Sequence, residues 1–426
     1  MLVWKVQTLN LNVASLRYRC LLPLRYLAEC GVESDIYGDD DPVKLTPHTE
    51  ALIFVKSFYP FDVETCKRAH RMGIPIIIDI CDNIFIDEYS ANKSYVLADN
   101  FRLMAEMATA VVATGSAMKA EVEAAIASLP KRPTVVIIPD GSESISDIAF
   151  AIRATRRKRL IQRSRKLLKR IRRLSKRAKS KRKPKKTSAT SPSSPTYKNQ
   201  PAPLRPYPWP LVPSGTKTVL WFGNHGAKYG NFGMLNILDA ADALQRVAQN
   251  CPLRLLVISN SRDKYEAHIA PLPFATDYLP WHPRQIYAYI RESDVVIIPN
   301  SRSRYSICKS ANRAVLALSQ GTPVIASATP ALDMLEGCVW LDDWEGGLRA
   351  YLTKPQTAKT HVQQAQSVIS QQLSGQVIAQ KWLSLLNQIK AGSAADAASN
   401  GSDEQTESEP PLEPPLEPQN SGRQIA

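Results

Sequence analysis

From Leu2 to Ser142 short apolar, β-branched runs alternate with longer stretches whose apolar residues return at helical spacing. Val3 to Leu9, Ala51 to Lys56, Ile74 to Asp79, Ala110 to Thr114 and Val135 to Ile138 predict strands. The later ones are nearly continuous in aliphatic residues, as strands covered on both faces are. Leu21 to Cys30, Val63 to Met72, Asn100 to Met107 and Ala117 to Ser128 predict the helices between them, with Gly31 and Gly73 where helix C-caps belong. Lys217 to Leu352 repeats the scheme. Strands are predicted at Thr218 to Phe222, Arg254 to Ser259, Asp294 to Pro299 and Thr322 to Ser327, and helices at Gly233 to Gln249, Arg284 to Glu292 and Ala311 to Ser319. Thr360 to Ile389 predicts one further helix, with Trp382, Leu383, Leu385, Leu386 and Ile389 as its apolar face.

The pattern predicts an α/β chain with two Rossmann-like, doubly wound domains facing across a cleft. The expected division is 1–143 for the first domain, 144–214 for a linker, 215–354 for the second domain, 355–390 for C-terminal helices and 391–426 for an acidic, disordered tail. A length of 426 residues suits two such domains, each able to bury a core.

A formal net charge of +15 suggests a nucleic-acid binder until its position is read. Arg153 to Lys186 holds 20 Lys and Arg, and no acid occurs from Ile148 to Leu238; subtracting that arm leaves −5 for the remainder. Leu160, Ile161, Leu167, Leu168, Ile171, Leu174 and Ala178 recur at helical spacing within the arm, so it predicts a basic amphipathic helix. The Ser/Pro-rich sequence after it cannot bury a core and reads as disordered or polyproline-like. The arm has three readings: a solvated linker, a surface that docks on anionic lipid headgroups, or a nucleic-acid contact. Interleaved aromatics are missing, so nucleic acid is the least favoured. Seven scattered cysteines, none in a C-x-x-C pair, read as reduced core residues and not as a zinc or disulfide set. The N-terminus lacks a secretory pattern, and no run reaches the roughly 18 apolar residues of a membrane span. The expected location is cytoplasmic, at most peripheral to a membrane.

The chemistry concentrates in DVVIIPNSRSRYSICKSANRAVLALSQGTPVIAS, from Asp294 to Ser327. It reads as strand, basic loop, helix, glycine turn and second strand. Lys309-Ser310-Ala311-Asn312-Arg313 lies where the helix begins, so free backbone N–H groups and two cations are available to a diphosphate, with Ser310 as a candidate N-cap. Four segments carry a resemblance in the same order along the chain. IIPDGSE (Ile137 to Glu143) resembles the Ile-Pro-Asn-Gly-Val-Asp signature that closes the first domain of GT-B glycosyltransferases similar to family 4. FGNHGAKYG (Phe222 to Gly230) resembles the glycine turn and Lys-Gly that open their second domain. The block from Asp294 to Ser327 resembles their donor site, and Ser15 to Gly31 their first-helix segment. The resemblance spans nearly the whole chain apart from linker and tail. It implies a GT-B fold, a nucleotide-diphosphate-sugar donor, a glycan or lipid-linked acceptor, retention of configuration and independence of metal, with no cofactor.

Carried onto this sequence, the resemblance assigns the donor to Gly223, Asn224, Gly226 and Lys228 and to Lys309, Ser310, Asn312 and Arg313. A leaving diphosphate gains negative charge, which fixed cations and backbone N–H groups stabilise. IIIDICDNIF (Ile76 to Phe85) brings Asp79, Asp82 and Asn83 to the end of a buried strand. Asp82, with Asp79 beside it, is the candidate to position the acceptor hydroxyl or assist its proton. Arg17 and Arg19 are candidates for an acceptor phosphate or carboxylate, against the plainer reading of exposed helix arginines. Asp39-Asp40-Asp41 imitates a metal-binding Asp-x-Asp but precedes Pro42 in a turn, so no metal is assigned. The sequence departs from the family at the usual Glu-x7-Glu, where Cys308 and Leu316 stand. A Lys-Ser-x-Asn-Arg variant of the donor motif is one reading of this; a catalytically inactive GT-B-like protein that binds glycan, anionic membrane or nucleic acid is the other.

Overall fold

The structure, a computed structural model, describes residues 1–38, 41–86, 95–156, 158, 164, 210–211, 213–226 and 232–402. Leu2–Val6 (β1), Ser34–Tyr37 (β2), Ala51–Val55 (β3), Ile76–Ile80 (β4), Ala110–Ala113 (β5) and Thr134–Ile137 (β6) form one parallel sheet in the order β2-β1-β3-β4-β5-β6. Trp4 lies opposite Ile53, and Ile53 opposite Ile77. Every residue of β1, β3, β4 and β5 is buried, as expected where helices cover both faces. β2 was not read as a strand. It is an edge strand of sequence SDIY whose first two residues are half-buried, so no apolar run marks it.

Lys217–Phe222 (β7), Leu253–Ser259 (β8), Ala275–Pro280 (β9), Val295–Ile298 (β10), Val324–Ala326 (β11) and Trp340–Leu341 (β12) form a second parallel sheet, in the order β12-β11-β10-β7-β8-β9. Here too the strands missed by pattern, β9 and β12, are the two edges. One apolar face of this sheet packs Leu220, Ile258 and Val296 against Leu316 and Val362; the other packs Trp221, Val257 and Ile297 against Leu244 and Leu348.

Two predicted helices are interrupted. The stretch from Gly233 begins as a 3₁₀ turn, Gly233–Ala240, and becomes α-helical only over Ala241–Ala248. The buried Asn236 side chain accepts the Gly233 N–H at 2.8 Å and so competes with the regular ladder. The C-terminal stretch is two helices, Pro355–Leu373 and Gly375–Ser402, separated by Ser374 in extended conformation. Leu373 belongs to the second sheet's core, whereas Trp382 packs edge to face on Trp4 of β1 at 5.1 Å. The break is therefore where the chain returns from one sheet to the other. Gly375 makes the crossing, since a Cβ there would lie 1.9 Å from the Tyr26 ring. From Ser384 onward a second unit begins, helical to Ser402.

A helix over 145–156 follows the Ile137 to Glu143 segment and buries Ile148 in the second sheet's core. Most of the basic arm (157, 159–163 and 165–186), the Ser/Pro-rich stretch and the acidic tail from 403 lie outside the described residues. Among the described residues, no helix is long and apolar enough to cross a membrane.

Candidate active site

Ligands of doubly wound sheets bind outside the strand carboxyl ends, at the point where strand order reverses. In the second sheet that point lies between β7 and β10, which end at Phe222 and Ile298. In the first it lies between β1 and β3, and β3 is followed by Lys56.

Arg313 reaches the point between β7 and β10 from the helix Asn312–Ser319. Its guanidinium donates to the Phe222 carbonyl at 3.4 Å and to Asn300 Oδ1 at 3.2 Å. Asn300 is itself held by the Ser327 hydroxyl, which accepts its N–H at 2.9 Å. Both acceptors of Arg313 are neutral, and no carboxylate pairs with it among the described residues. Burial pulls its pKa down to about 10. A half-buried guanidinium without a counter-ion is costly, and an anion delivered by a ligand removes that cost. Gly223 leaves the opening beside it: a Cβ there would stand 3.3 Å from Arg313 Nη1. The following loop needs its glycines. Gly226 has φ +89°, and a Cβ on it would fall 2.1 Å from the Phe232 carbonyl oxygen. Asn224 Oδ1 accepts the Gly226 N–H at 3.0 Å, and Lys264 Nζ donates to the His225 carbonyl at 3.1 Å. Lys264 was not singled out from sequence. Burial lowers its pKa, and its position at the start of Arg262–His268 brings it to the glycine turn. Lys228 lies outside the described residues.

Lys309 goes the other way. The loop Ser301 to Ser310 leaves β10 and docks on the first sheet, where Ile307 and Cys308 pack into the core around Phe54 and Ile78. Arg304 makes a two-pronged ion pair with Glu121, at 3.0 and 2.6 Å. Lys309 Nζ thereby meets Asp82 and donates to the Tyr305 hydroxyl at 2.8 Å. Lys56 meets the other Asp82 oxygen. Asp82 is only 8% exposed; burial alone would raise its pKa, but Lys309 and Lys56 override that and hold the carboxyl well below the usual range. Burial would likewise lower Lys309, and Asp82 raises it instead. Lys56 adopts φ +47°, a conformation that costs a non-glycine residue about 1–3 kcal/mol and tends to cluster at functional sites. Sequence reasoning passed over Lys56, although its place just after a buried strand was a usable signal.

A second chain of contacts ties the same loop to the first sheet. Ser310 Oγ donates to Asp140 Oδ2 at 2.5 Å and Asn312 Nδ2 to the same oxygen at 3.4 Å. Asp140 Oδ1 accepts from Arg19 at 3.1 Å, and Arg19 also grips Asp79 at 2.7 and 3.0 Å. Ser310 is therefore not the helix cap; Ala311 occupies that position without a capping side chain.

The arginines of the first helix are not exposed as the plainer reading had it. Arg17 and Arg19 are buried together in a π-helical turn, Arg17–Leu21, all five of whose residues are buried. Arg17 is held by Glu143 at 2.8 Å and the Leu11 carbonyl at 2.7 Å, and Tyr287 donates to the other Glu143 oxygen at 3.1 Å. Asp79 is wholly buried against Arg19, and burial raises its pKa despite that partner. Both guanidinium groups are thus spent on internal carboxylates, at the junction of the two sheets. Cys308 and Leu316 are buried as well, the thiol receiving Asn83 Nδ2 at 3.8 Å. Asp39 and Asp40 lie outside the described residues.

No protein-family model and no curated protein matches the chain. Solved structures do. The crystal structure of Anabaena HepE in complex with UDP and glucose matches with a TM-score of 0.52 at 12% identity, over 91% of this chain and 99% of that one. The E. coli trehalose-6-phosphate structure bound with UDP-2-fluoro glucose matches with a TM-score of 0.55 at 11% identity, over 91% and 99%. A trehalose 6-phosphate synthase from Burkholderia multivorans gives 0.50 at 10% identity, over 83% and 73%. Likeness at such identity establishes the fold alone, and the fold is GT-B.

Proposed function

We propose that this chain is a glycosyltransferase that takes a sugar from a nucleotide-diphosphate donor held at the second sheet, and that an acceptor enters from the first. Arg313 carries the reading. A guanidinium without a carboxylate partner, at the strand-order switch point beside Gly223, is what a diphosphate requires: fixed positive charge where the leaving group gains negative charge. The GT-B neighbours support it, since those proteins were seen with UDP, glucose or UDP-2-fluoro glucose. Lys309, four residues earlier, is paired with Asp82 on the first sheet and is proposed as the site's second cation only once a diphosphate draws it away. Its partner Asp82 has too low a pKa to be an efficient general base while Lys309 and Lys56 both hold it. Withdrawal of Lys309 toward a bound diphosphate would raise the Asp82 pKa, so donor binding prepares Asp82 to receive or orient an acceptor hydroxyl.

The transfer is proposed to retain configuration and to need no metal or cofactor. The acceptor is proposed to be a glycan or a lipid-linked acceptor, with the basic arm from Arg153 to Lys186 resting on anionic lipid. A second reading, a non-catalytic GT-B protein, is favoured by one observation: the positions of the family's two glutamates hold Cys308 and Leu316, both inside apolar cores. Donor turnover separates the two. Release of UDP or GDP from the common sugar nucleotides, insensitive to EDTA and lowered at least about 100-fold by Asp82→Asn, is expected. Absence of turnover with every donor, alongside tight nucleotide binding, would leave the second reading. Cosedimentation with anionic liposomes at low salt, lost at high salt, checks the arm.

A further inference from the structure

A cavity of about 500 Å³ lies between the carboxyl ends of β5 and β6 and the start of Asn312–Ser319. Its volume is that of a small-molecule site. Ser310 and Asn312 of the donor motif line it, whereas Arg313 and Asp82 do not. At one end stand Thr114, Gly115 and Ser116, where β5 turns into the helix Ser116–Ile126. Gly115 occupies the cap position in extended conformation and has no side chain to accept the helix N–H groups, and the first turn holds no acid. The first intrahelical bond there runs from the Lys119 N–H to the Gly115 carbonyl, so the N–H groups of residues 116–118 have no acceptor within the helix. Thr114 is 6% exposed and its hydroxyl has no hydrogen-bond partner among the described residues. Lys381 also lines the cavity and pairs with no carboxylate among the described residues. The cavity's one acid, Asp140, is already engaged by Arg19, Ser310 and Asn312. Val315, Met334 and Val377 provide apolar wall.

We propose that this cavity is a second binding site, for a small organic anion whose phosphate or carboxylate meets the start of Ser116–Ile126 and Thr114 and whose apolar body lies on Val315, Met334 and Val377. Helix N-termini attract anions through free N–H groups and the aligned peptide dipoles, and the ammonium of Lys381 adds to that field. An unpartnered buried hydroxyl costs free energy, and an anionic oxygen would supply its missing acceptor. Thr114 comes from the first sheet's side and Val315 from the second's, so occupancy also favours the arrangement in which the two meet. The cavity shares Ser310 and Asn312 with the candidate donor loop, but Gly223, Lys309 and Arg313 lie outside it.

Calorimetric titration of the full chain with phenyl phosphate, benzoate, inorganic phosphate and phenol tests it. Phenyl phosphate, benzoate or both should bind at least about tenfold more tightly than phenol or inorganic phosphate, since each of the latter supplies only one half of the match. Ser116→Asp places a carboxylate at the helix start without harm to the helix, and should weaken that binding at least about tenfold while the melting temperature stays level. Lys381→Gln should weaken it less, and Arg313→Ala should leave it unchanged. Failure of both aromatic anions to saturate, equal affinity for Ser116→Asp, or loss of binding in Arg313→Ala would each overturn the proposal.

Discussion

Lys309 and Arg313 stand four residues apart, yet their chemistry diverges because one has a carboxylate and the other does not. Asp82 holds Lys309 and Lys56 together, and the sign of the pH dependence follows. The folded pKa of Asp82 is depressed, so its contribution is present above the unfolded value near 3.9 and fades as pH falls through the folded one. The folded pKa of Lys309 is raised, so its share is present below about 10.4 and fades as pH rises through the folded value. The stability difference between the wild type and Asp82→Asn in urea unfolding should therefore be level from about pH 5 to 9 and shrink on either side. Its size should be about 1–3 kcal/mol, below that of a fully buried pair because both lysines keep some exposure. Arg19→Met should cost more, about 3–5 kcal/mol at pH 7, since it strands Asp79 and Asp140 without their shared cation. A loss under 1 kcal/mol in the same unfolding measurement would show that the buried Asp79 is already neutral.

The central strands were legible as elements because burial on both faces removes polar residues from them, and Ile76 to Ile80 or Val295 to Ile298 cannot be mistaken for loop. The edges β2, β9 and β12 lack that signature. The π-helical turn at Arg17–Leu21 and the crossing at Ser374 answer to tertiary contacts and leave no local pattern. The same limit governs the site. Pattern located the loop from Lys309 to Arg313, but its pairing with Asp82 spans 227 residues and with Asp140 about 170. No periodicity could report which of its cations would be neutralised. The glycine turn gives the element-scale test. Gly226→Ala forces a Cβ onto the Phe232 carbonyl at a positive φ, so the loop must move. UDP affinity should fall at least about tenfold while the melting temperature drops only a few degrees, because the turn lies outside both cores. Unchanged affinity would separate the turn from the donor site.

At the scale of the whole molecule, the two sheets are joined by the loop from Ser301 to Ser310, by Arg17 with Glu143 and Tyr287, and by the return of the chain through Ser374 to Trp382. The exposed Arg304 pair with Glu121 is one of these ties, and Arg304→Ala should cost no more than about 1 kcal/mol in unfolding. The buried ties carry the join. With the first sheet's charges neutralised internally, Arg313 at the second sheet has no carboxylate partner among the described residues, and it is the group proposed to meet the donor's diphosphate. Calorimetric titration of UDP and GDP into the wild type and Arg313→Ala tests this most directly. The account predicts saturable binding of at least one nucleotide to the wild type and a loss of about 2 kcal/mol, roughly 30-fold in Kd, on removal of the guanidinium, with partial recovery in Arg313→Lys. Binding of neither nucleotide, or equal affinity in wild type and Arg313→Ala, would contradict it.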